Sequence, residues 1–139
     1  MPVGSQDKVN VAPIDGIRLA AVASQIRYAN RLDLVLIEIA QDSTTVGVFT
    51  QNAFCAAPVR IAKHRVKHNA SRYFLINTGN ANAGTGPEGE LAAVACCDGL
   101  AEIASASSEQ ILPFSTGVIG EQLPFDKILV ALPGLYEAL

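Results

Sequence analysis

Ten consecutive residues, Asn77-Thr78-Gly79-Asn80-Ala81-Asn82-Ala83-Gly84-Thr85-Gly86, constrain this chain more than any other feature. They follow an apolar run, Tyr73-Phe74-Leu75-Ile76, and precede a helix-like run from Glu90 to Ala104. Asn, Gly, Thr and Ala in this proportion do not build a hydrophobic core element. Such a tract puts backbone amides and small polar side chains in a defined place at the end of a strand. The order strand, polar loop, helix is therefore required around it, and the loop is the first place to look for chemistry.

The rest of the chain supplies material for a core. Half of its 139 residues are hydrophobic, enough for one domain and too few residues for two ordinary ones. Such hydrophobicity in a small unit suggests a large partner surface, the remainder of a longer protein included. The net charge of −3 argues against disorder and against general nucleic-acid binding. Basic residues are nevertheless clustered. Arg60, Lys63, Arg65, Lys67 and Arg72 fall together with His64 and His68, and beyond Tyr73 only Lys127 is basic. The cluster reads first as a solvated helix face and second as a contact for an anionic substrate or another subunit. Cys55, Cys96 and Cys97 suit a reduced, cytoplasmic setting better than a disulfide framework. Cys96 and Cys97 sit in an Ala-rich helix, where they act as small hydrophobes. His64 and His68 could share a helix face, but no Cys, Asp or Glu is near them to complete a metal site. No leader sequence opens the chain, and nothing reaches the roughly 18 apolar residues of a membrane span.

Along the chain, residues 1–15 read as an extended arm and Ile17 to Ile26 as a buried strand. Asp33 to Ala40 is a stronger strand, and Thr45 to Thr50 is expected to return beside it as an antiparallel hairpin across Gln41-Asp42-Ser43-Thr44. Pro58 opens a helix to about His68; Arg72 to Asn77 is the strand before the polar tract. Acidic residues in Gly86-Pro87-Glu88-Gly89-Glu90 suit a helix start. Ser107-Ser108-Glu109-Gln110 resembles another start, cut short by Pro113, and a last helix through Ile128, Leu129, Leu132 and Leu135 should bend or end at Pro133-Gly134. Paired strands followed by mixed strands and helices predict an α+β layered sandwich.

Gly84-Thr85-Gly86-Pro87-Glu88-Gly89 matches G-x-G-x-x-G in a strand-to-helix context. The dinucleotide reading is nonetheless weak. The glycines are displaced from the strand end, Glu88 and Glu90 would repel a pyrophosphate, and Pro87 removes an amide donor. A second small-residue tract, Pro113-Phe114-Ser115-Thr116-Gly117-Val118-Ile119-Gly120-Glu121, carries better chemistry. Ser-Thr-Gly sets a hydroxyl beside a flexible backbone amide, which suits an oxyanion hole. On spacing alone, an ordinary tight turn between elements accounts for it as well.

Five ordered blocks bring these features together: Asp33-Leu34-Val35-Leu36; Gly47-Val48-Phe49-Thr50-Gln51-Asn52; Phe54-Cys55-Ala56-Ala57-Pro58-Val59; the tract Asn77 to Gly86; and Ser115-Thr116-Gly117-Val118-Ile119-Gly120-Glu121. In sequence and order they resemble the N-terminal part of the ornithine acetyltransferase family, also called the glutamate N-acetyltransferase or ArgJ family. The resemblance implies an α/β sandwich of the kind shared with self-processing aminopeptidases. It implies a precursor of arginine biosynthesis that cleaves itself between an Ala and a Thr into an α and a β chain. The β-chain Thr would take the acetyl group of N-acetylornithine and pass it to glutamate, with its own terminal amine as base and no cofactor or metal. Thr116 and Gly117 would supply the oxyanion hole. Asn80, Asn82 and Thr85 would shape the site floor or its hydrogen-bond network. An α2β2 assembly without nucleic acid or membrane is implied, and acetyl-coenzyme A is left open as a further donor.

The resemblance departs at the far end. The family's Thr-Thr-Asp segment, its substrate-contacting Lys and its cleavage junction have no counterpart here, and no Thr follows an Ala. The chain thus reads as residues 1–139 of a single domain portion, a truncated α chain whose nucleophile lies elsewhere. Two alternatives stand beside this reading: a self-processing aminopeptidase of related architecture, with water as acceptor, and a non-catalytic fragment that only binds a partner chain.

Overall fold

The computed structural model describes residues 12–139. Most of the expected extended arm therefore lies outside the described residues. Four strands, β1 (Ile17–Val22), β2 (Leu34–Ile39), β3 (Tyr73–Asn80) and β4 (Ile111–Val118), form one sheet in the order β1-β2-β3-β4. β1 and β3 flank β2 antiparallel, and β4 runs parallel to β3. A parallel neighbour requires a crossover, and α2 (Gly86–Ala104) supplies it. The other helices are α1 (Ala57–His68) and α3 (Phe125–Glu137).

One face of the sheet carries the core. Leu34, Leu36, Tyr73, Leu75 and Ile111 meet Ala92, Cys96, Cys97 and Leu100 of α2 and Ile128, Leu132 and Leu135 of α3. The alternate residues point the other way, as strand geometry demands. There Ile17, Leu19 and Phe114 are exposed, beside half-buried Val35, Ile37, Phe74 and Ile76. The layered α+β arrangement is thus a sheet backed by two helices whose second apolar face, among the described residues, is open except along β4, where α1 packs. α1 packs along β4, the outer strand, and touches α2.

Several local expectations are corrected. Residues 45–50 form no strand: β1 and β3 already occupy both edges of β2, so the hairpin has no edge to join. β1 ends at Val22, and residues 23–33 are irregular. Their fold is set by Asp33, whose buried carboxylate accepts from the Ser24 amide (2.6 Å), the Ser24 hydroxyl (2.8 Å) and the Ile26 amide (2.8 Å). α3 continues through Pro133, since the stripe Ile128, Leu132, Leu135 is buried to 2% exposure or less and holds the helix against the core. The Ser107 start is a single 3-10 turn over Ser108–Gln110, closed by a capping box between Ser107 and Gln110.

The basic cluster divides. Lys63, His64, Lys67 and His68 face solvent, with the two imidazole rings 4.8 Å apart. Arg65 does not: at 3% exposure its guanidinium donates to the Ile111 carbonyl (2.7 Å) and the Ser108 hydroxyl (3.2 Å), and so ties α1 to the start of β4. Arg60 pairs with Glu90 at 3.1 Å. Arg72 (3.1 Å) and Tyr73 (3.0 Å) bond Glu38, which also pairs with Arg18. Burial and this bond to Glu38 push the Tyr73 phenol up to about 12. No helix among the described residues is long and apolar enough to cross a membrane.

Candidate active site

Thr116 and Gly117 do not form a turn. They lie within β4, at its C-terminal end, opposite Thr78 and Gly79 of β3. The pairing slips there, so that Asn80 faces both Thr116 and Val118. Such a bulge bends a strand and re-aims its side chains. Gly117 has φ 135°, a conformation that L side chains rarely adopt. A Cβ at that position would come within 2.5 Å of the Asn80 nitrogen and 2.7 Å of the Gly79 oxygen. Gly117 is therefore needed for the two backbones to approach this closely, whereas a Cβ at Gly79 (φ 109°) would meet Arg27 and Ile26 instead.

The Thr116 side chain stands on the uncovered face, at the end of a groove of about 300 Å3 between β4, α1 and residues 48–50. Val48, Phe49, Val59, Ala62 and Phe114 line it. The edge-on pair Phe74–Phe114, with centroids 5.7 Å apart, closes the sheet beside it. Hydrogen-bond donors in apolar surroundings act on developing charge more strongly than they do in water. A larger groove of about 430 Å3 lies elsewhere, between residues 23–25 and α3, and includes none of the expected site residues.

Asn80, Asn82 and Thr85 are brought together, but inside the protein and committed to one another. Asn82 is fully buried. Its Nδ2 donates to the Gly89 carbonyl (2.7 Å), and its Oδ1 accepts from the Thr85 hydroxyl (2.7 Å). The Asn82 amide donates to Asn80 Oδ1 at 2.8 Å, while Asn80 Nδ2 bonds the carbonyls of Glu121 and Gln122, both at 3.1 Å. Ala81 donates to Val118 O (2.8 Å), Gly120 to Ala83 O (2.7 Å) and Gln122 Nε2 to Thr85 O (3.3 Å). The polar tract is therefore stitched to the segment leaving β4. Its asparagines satisfy buried backbone groups that no regular ladder reaches.

Gly86 and Gly89, part of the glycine fingerprint, sit in the first turn of α2. Gly89 packs against Thr85 Oγ1 and Asn82 Oδ1, so it serves this network and not a phosphate cradle.

Two residues escaped notice as individuals. Asn77, at 4% exposure, accepts from the Ser115 hydroxyl at 2.6 Å and donates to Asn80 O at 2.9 Å. Thr78 pairs with Thr116. Both belong to the tract, and the signal that finds them is register, which requires knowing that β3 and β4 are parallel neighbours. Other reactive groups are far less suitable. Burial pushes the thiols of Cys96 and Cys97 up to about 12 and about 11, which keeps them protonated at neutral pH. Among the described residues, no group of three His, Cys, Asp or Glu side chains could hold a metal ion.

A helix-backed mixed sheet of this order, with its parallel outer pair, is the fold of solved ornithine acetyltransferase and ArgJ structures. The chain belongs to the ArgJ family, whose model matches residues 18–139. It is 50% identical over 131 residues to an arginine biosynthesis bifunctional protein ArgJ of Methylococcus capsulatus, covering 94% of this chain and 32% of that protein. It superposes on the ornithine acetyltransferase of Mycobacterium tuberculosis, solved with ornithine, with a TM-score of 0.84 and 32% identity over 88% of this chain and 67% of the other. The ArgJ protein of Bacillus halodurans gives a TM-score of 0.80 and 28% identity over 86% of this chain and 62% of the other. The chain spans about a third of the length of the curated relatives it matches, at 32% and 34% of two of them.

Proposed function

We propose that this chain is the N-terminal portion of an enzyme of arginine biosynthesis that transfers the acetyl group of N-acetylornithine to glutamate, and that Thr116 and Gly117 are its oxyanion hole. The observation that carries the reading is the conjunction of family membership with a glycine whose backbone has no room for a Cβ, set beside an exposed hydroxyl at a strand end.

In this scheme the nucleophile is the N-terminal Thr of the β chain released from the same precursor. Its hydroxyl oxygen attacks the acetyl carbonyl while its own amine takes the proton. Negative charge gathers on the carbonyl oxygen, and the Thr116 hydroxyl and Gly117 amide donate to it. Collapse of the tetrahedral species breaks the C–N bond, returns the proton to the departing ornithine amine and leaves an acetyl ester on the β-chain Thr. The glutamate amine then attacks that ester through a second oxyanion, and the Thr hydroxyl is restored. One donor pair serves both half-reactions, and the kinetics are ping-pong.

The uncovered sheet face is the surface that supports a β-chain partner. Contiguous exposed apolar residues on a sheet are what a second layer needs. A cytoplasmic α2β2 assembly follows from the same reading. The test is acetyl transfer by the complete protein carrying Thr116→Ala. Turnover is expected to fall by about two to three powers of ten with the fold intact. Turnover near the parent value would remove Thr116 from the mechanism.

A further inference from the structure

Residues 45–50 belong to no ladder, yet their side chains alternate as those of a strand do. Thr45 and Phe49 are partly buried, whereas Val46 is 86% and Val48 100% exposed. Gly47 lies on the Phe49 side, since a Cβ there would come within 2.9 Å of the Phe49 ring. Val, Thr and Phe are residues that strands favour, and no charge interrupts the run from Thr44 to Thr50. Among the described residues, no main-chain hydrogen bond reaches residues 44–50. The run is closed at its far end by two side-chain turns: the Thr50 hydroxyl accepts from the Asn52 amide (3.1 Å), and Asn52 Oδ1 accepts from the Phe54 amide (2.9 Å).

The run also sits at the candidate site. Phe49 and Thr50 line the same groove as Phe114, Ser115 and Thr116. An extended run of unpaired amides and carbonyls that displays two valines is an edge for a second extended chain to complete. The described sheet supplies no such chain: its edges are β1 and β4, and neither pairs with residues 45–50. The chain covers 32% of its Methylococcus capsulatus relative, so most of such a polypeptide lies outside it and is available to supply one.

We propose that residues 45–50 are a strand completed by the N-terminal segment of the β chain, which pairs with them edge to edge and so sets its terminal Thr against Thr116. Neighbouring strands lie about 4.8 Å apart. A segment paired with Phe49 and Thr50 therefore ends in the groove that holds Thr116. Val46 and Val48 then face apolar side chains of the added layer in place of water. The inference rests on the reading of the nucleophile as the N-terminal Thr of a β chain, and it names the surface that places that residue.

The test places a photoreactive benzophenone side chain at Val48 of the complete protein and maps the adducts by mass spectrometry after irradiation. Adducts on the N-terminal segment of the β chain are expected. Adducts confined to residues 1–11 of this chain, to a later part of the β chain or to a second copy would overturn the proposal, and so would the absence of adducts. Where the benzophenone at Val48 blocks folding, Val46 carries it with the same outcomes. Hydrogen exchange on the unmodified complete protein is the second measurement. Alternate amides of residues 45–50 should exchange about a hundredfold more slowly than those of the exposed residues 29–32. Equal rates in the two segments would overturn the pairing. Both measurements read position and not turnover, so their failure leaves self-cleavage and the oxyanion reading standing. A complete protein that releases no β chain removes both readings together.

Discussion

The Ser115 hydroxyl donates to Asn77 Oδ1 at 2.6 Å across the parallel strands β3 and β4, one residue before the Thr78–Thr116 pair. This single bond joins two segments 38 residues apart in sequence and lies on the core side of the sheet, directly behind the residues assigned to chemistry. The asparagine has its other hydrogen-bonding group on Asn80 O, so the first and fourth residues of the polar tract share one anchor. The tract is a clamp that fixes where the two strand ends sit.

Asn82→Ala should be among the most damaging changes in the tract. It deletes a donor to Gly89 O and an acceptor from Thr85 in a fully buried position, leaving both partners unsatisfied. The expected cost is about 2–4 kcal/mol, read as a lowered midpoint in thermal or urea unfolding. A loss within experimental error would show that water or a rearranged loop replaces the amide.

Gly117→Ala should be worse than an ordinary strand substitution. The new Cβ meets backbone atoms, Asn80 N at 2.5 Å and Gly79 O at 2.7 Å, which no rotamer change can relieve. Positive φ adds about 1–3 kcal/mol of strain. Poor yield of folded protein or a strongly reduced midpoint is expected. The exposed Gly120, with nothing within 4 Å of its Cβ position, provides the matched comparison at φ 78°. Gly120→Ala should show the strain without the clash.

Arg65→Met keeps the apolar stem but strands the Ile111 carbonyl and Ser108 hydroxyl. Destabilisation of about 2–3 kcal/mol is expected from losing charge-assisted bonds in a buried place. Lys63→Met, two residues away on the solvent side of the helix, should be close to neutral, within about 0.5 kcal/mol. Equal effects at the two positions would contradict the division of the basic cluster.

The cysteines give a pH prediction. Folding raises the Cys96 thiol from 9.0 to about 12, chiefly through burial. A raised folded pKa means the protonated form is favoured in the native state, so this contribution to stability is complete below about pH 9 and is lost as pH climbs toward 12. Stability measured across that window should fall, and Cys96→Ala should flatten the decline without removing it, because Cys97 and Tyr73 shift the same way. At neutral pH a thiol reagent should modify Cys55, which is partly accessible, before either buried cysteine. Equal labelling of all three would show that α2 opens readily.

Much of this was legible in the residues, for reasons that differ by element. Leu34 to Ile39 and Tyr73 to Ile76 are apolar on both sheet faces, and the Ala-rich stretch from Gly86 to Ala104 with Glu88 in its first turn reads as helix. What failed was choice of neighbour. Thr45 to Thr50 has β-branched residues but lost the edge of β2 to an upstream strand, and Val46 and Val48 end up 86% and 100% exposed. Ser115-Thr116-Gly117 has turn chemistry, yet pairing with β3 extends it as strand. Arg65 sat in a run of surface cations, and only the packing of α1 on β4 revealed it as internal. Local pattern reports propensity; pairing and burial are decided by distant residues.

The crossover from β3 through α2 to β4 has one more implication, for how the protein comes apart. The polar tract begins the crossover; Asn82 is held within it by Gly89 and Thr85, while Asn77 reaches Ser115 of β4 and Asn80 the carbonyls of Glu121 and Gln122 beyond it. Until β4 docks, the Asn80 side-chain amide and the Ala81 backbone amide lack their acceptors, and Gly117 has no backbone to lie against. The strand ends at 78–80 and 116–118 therefore gain their geometry in the same cooperative step that closes the β3–α2–β4 unit. In hydrogen exchange, amides such as Asn82 and Ala81 should open only with the core of α2, although they belong to a loop. A loop with the exchange rate of a helix is the kinetic signature of a site that exists whole or not at all.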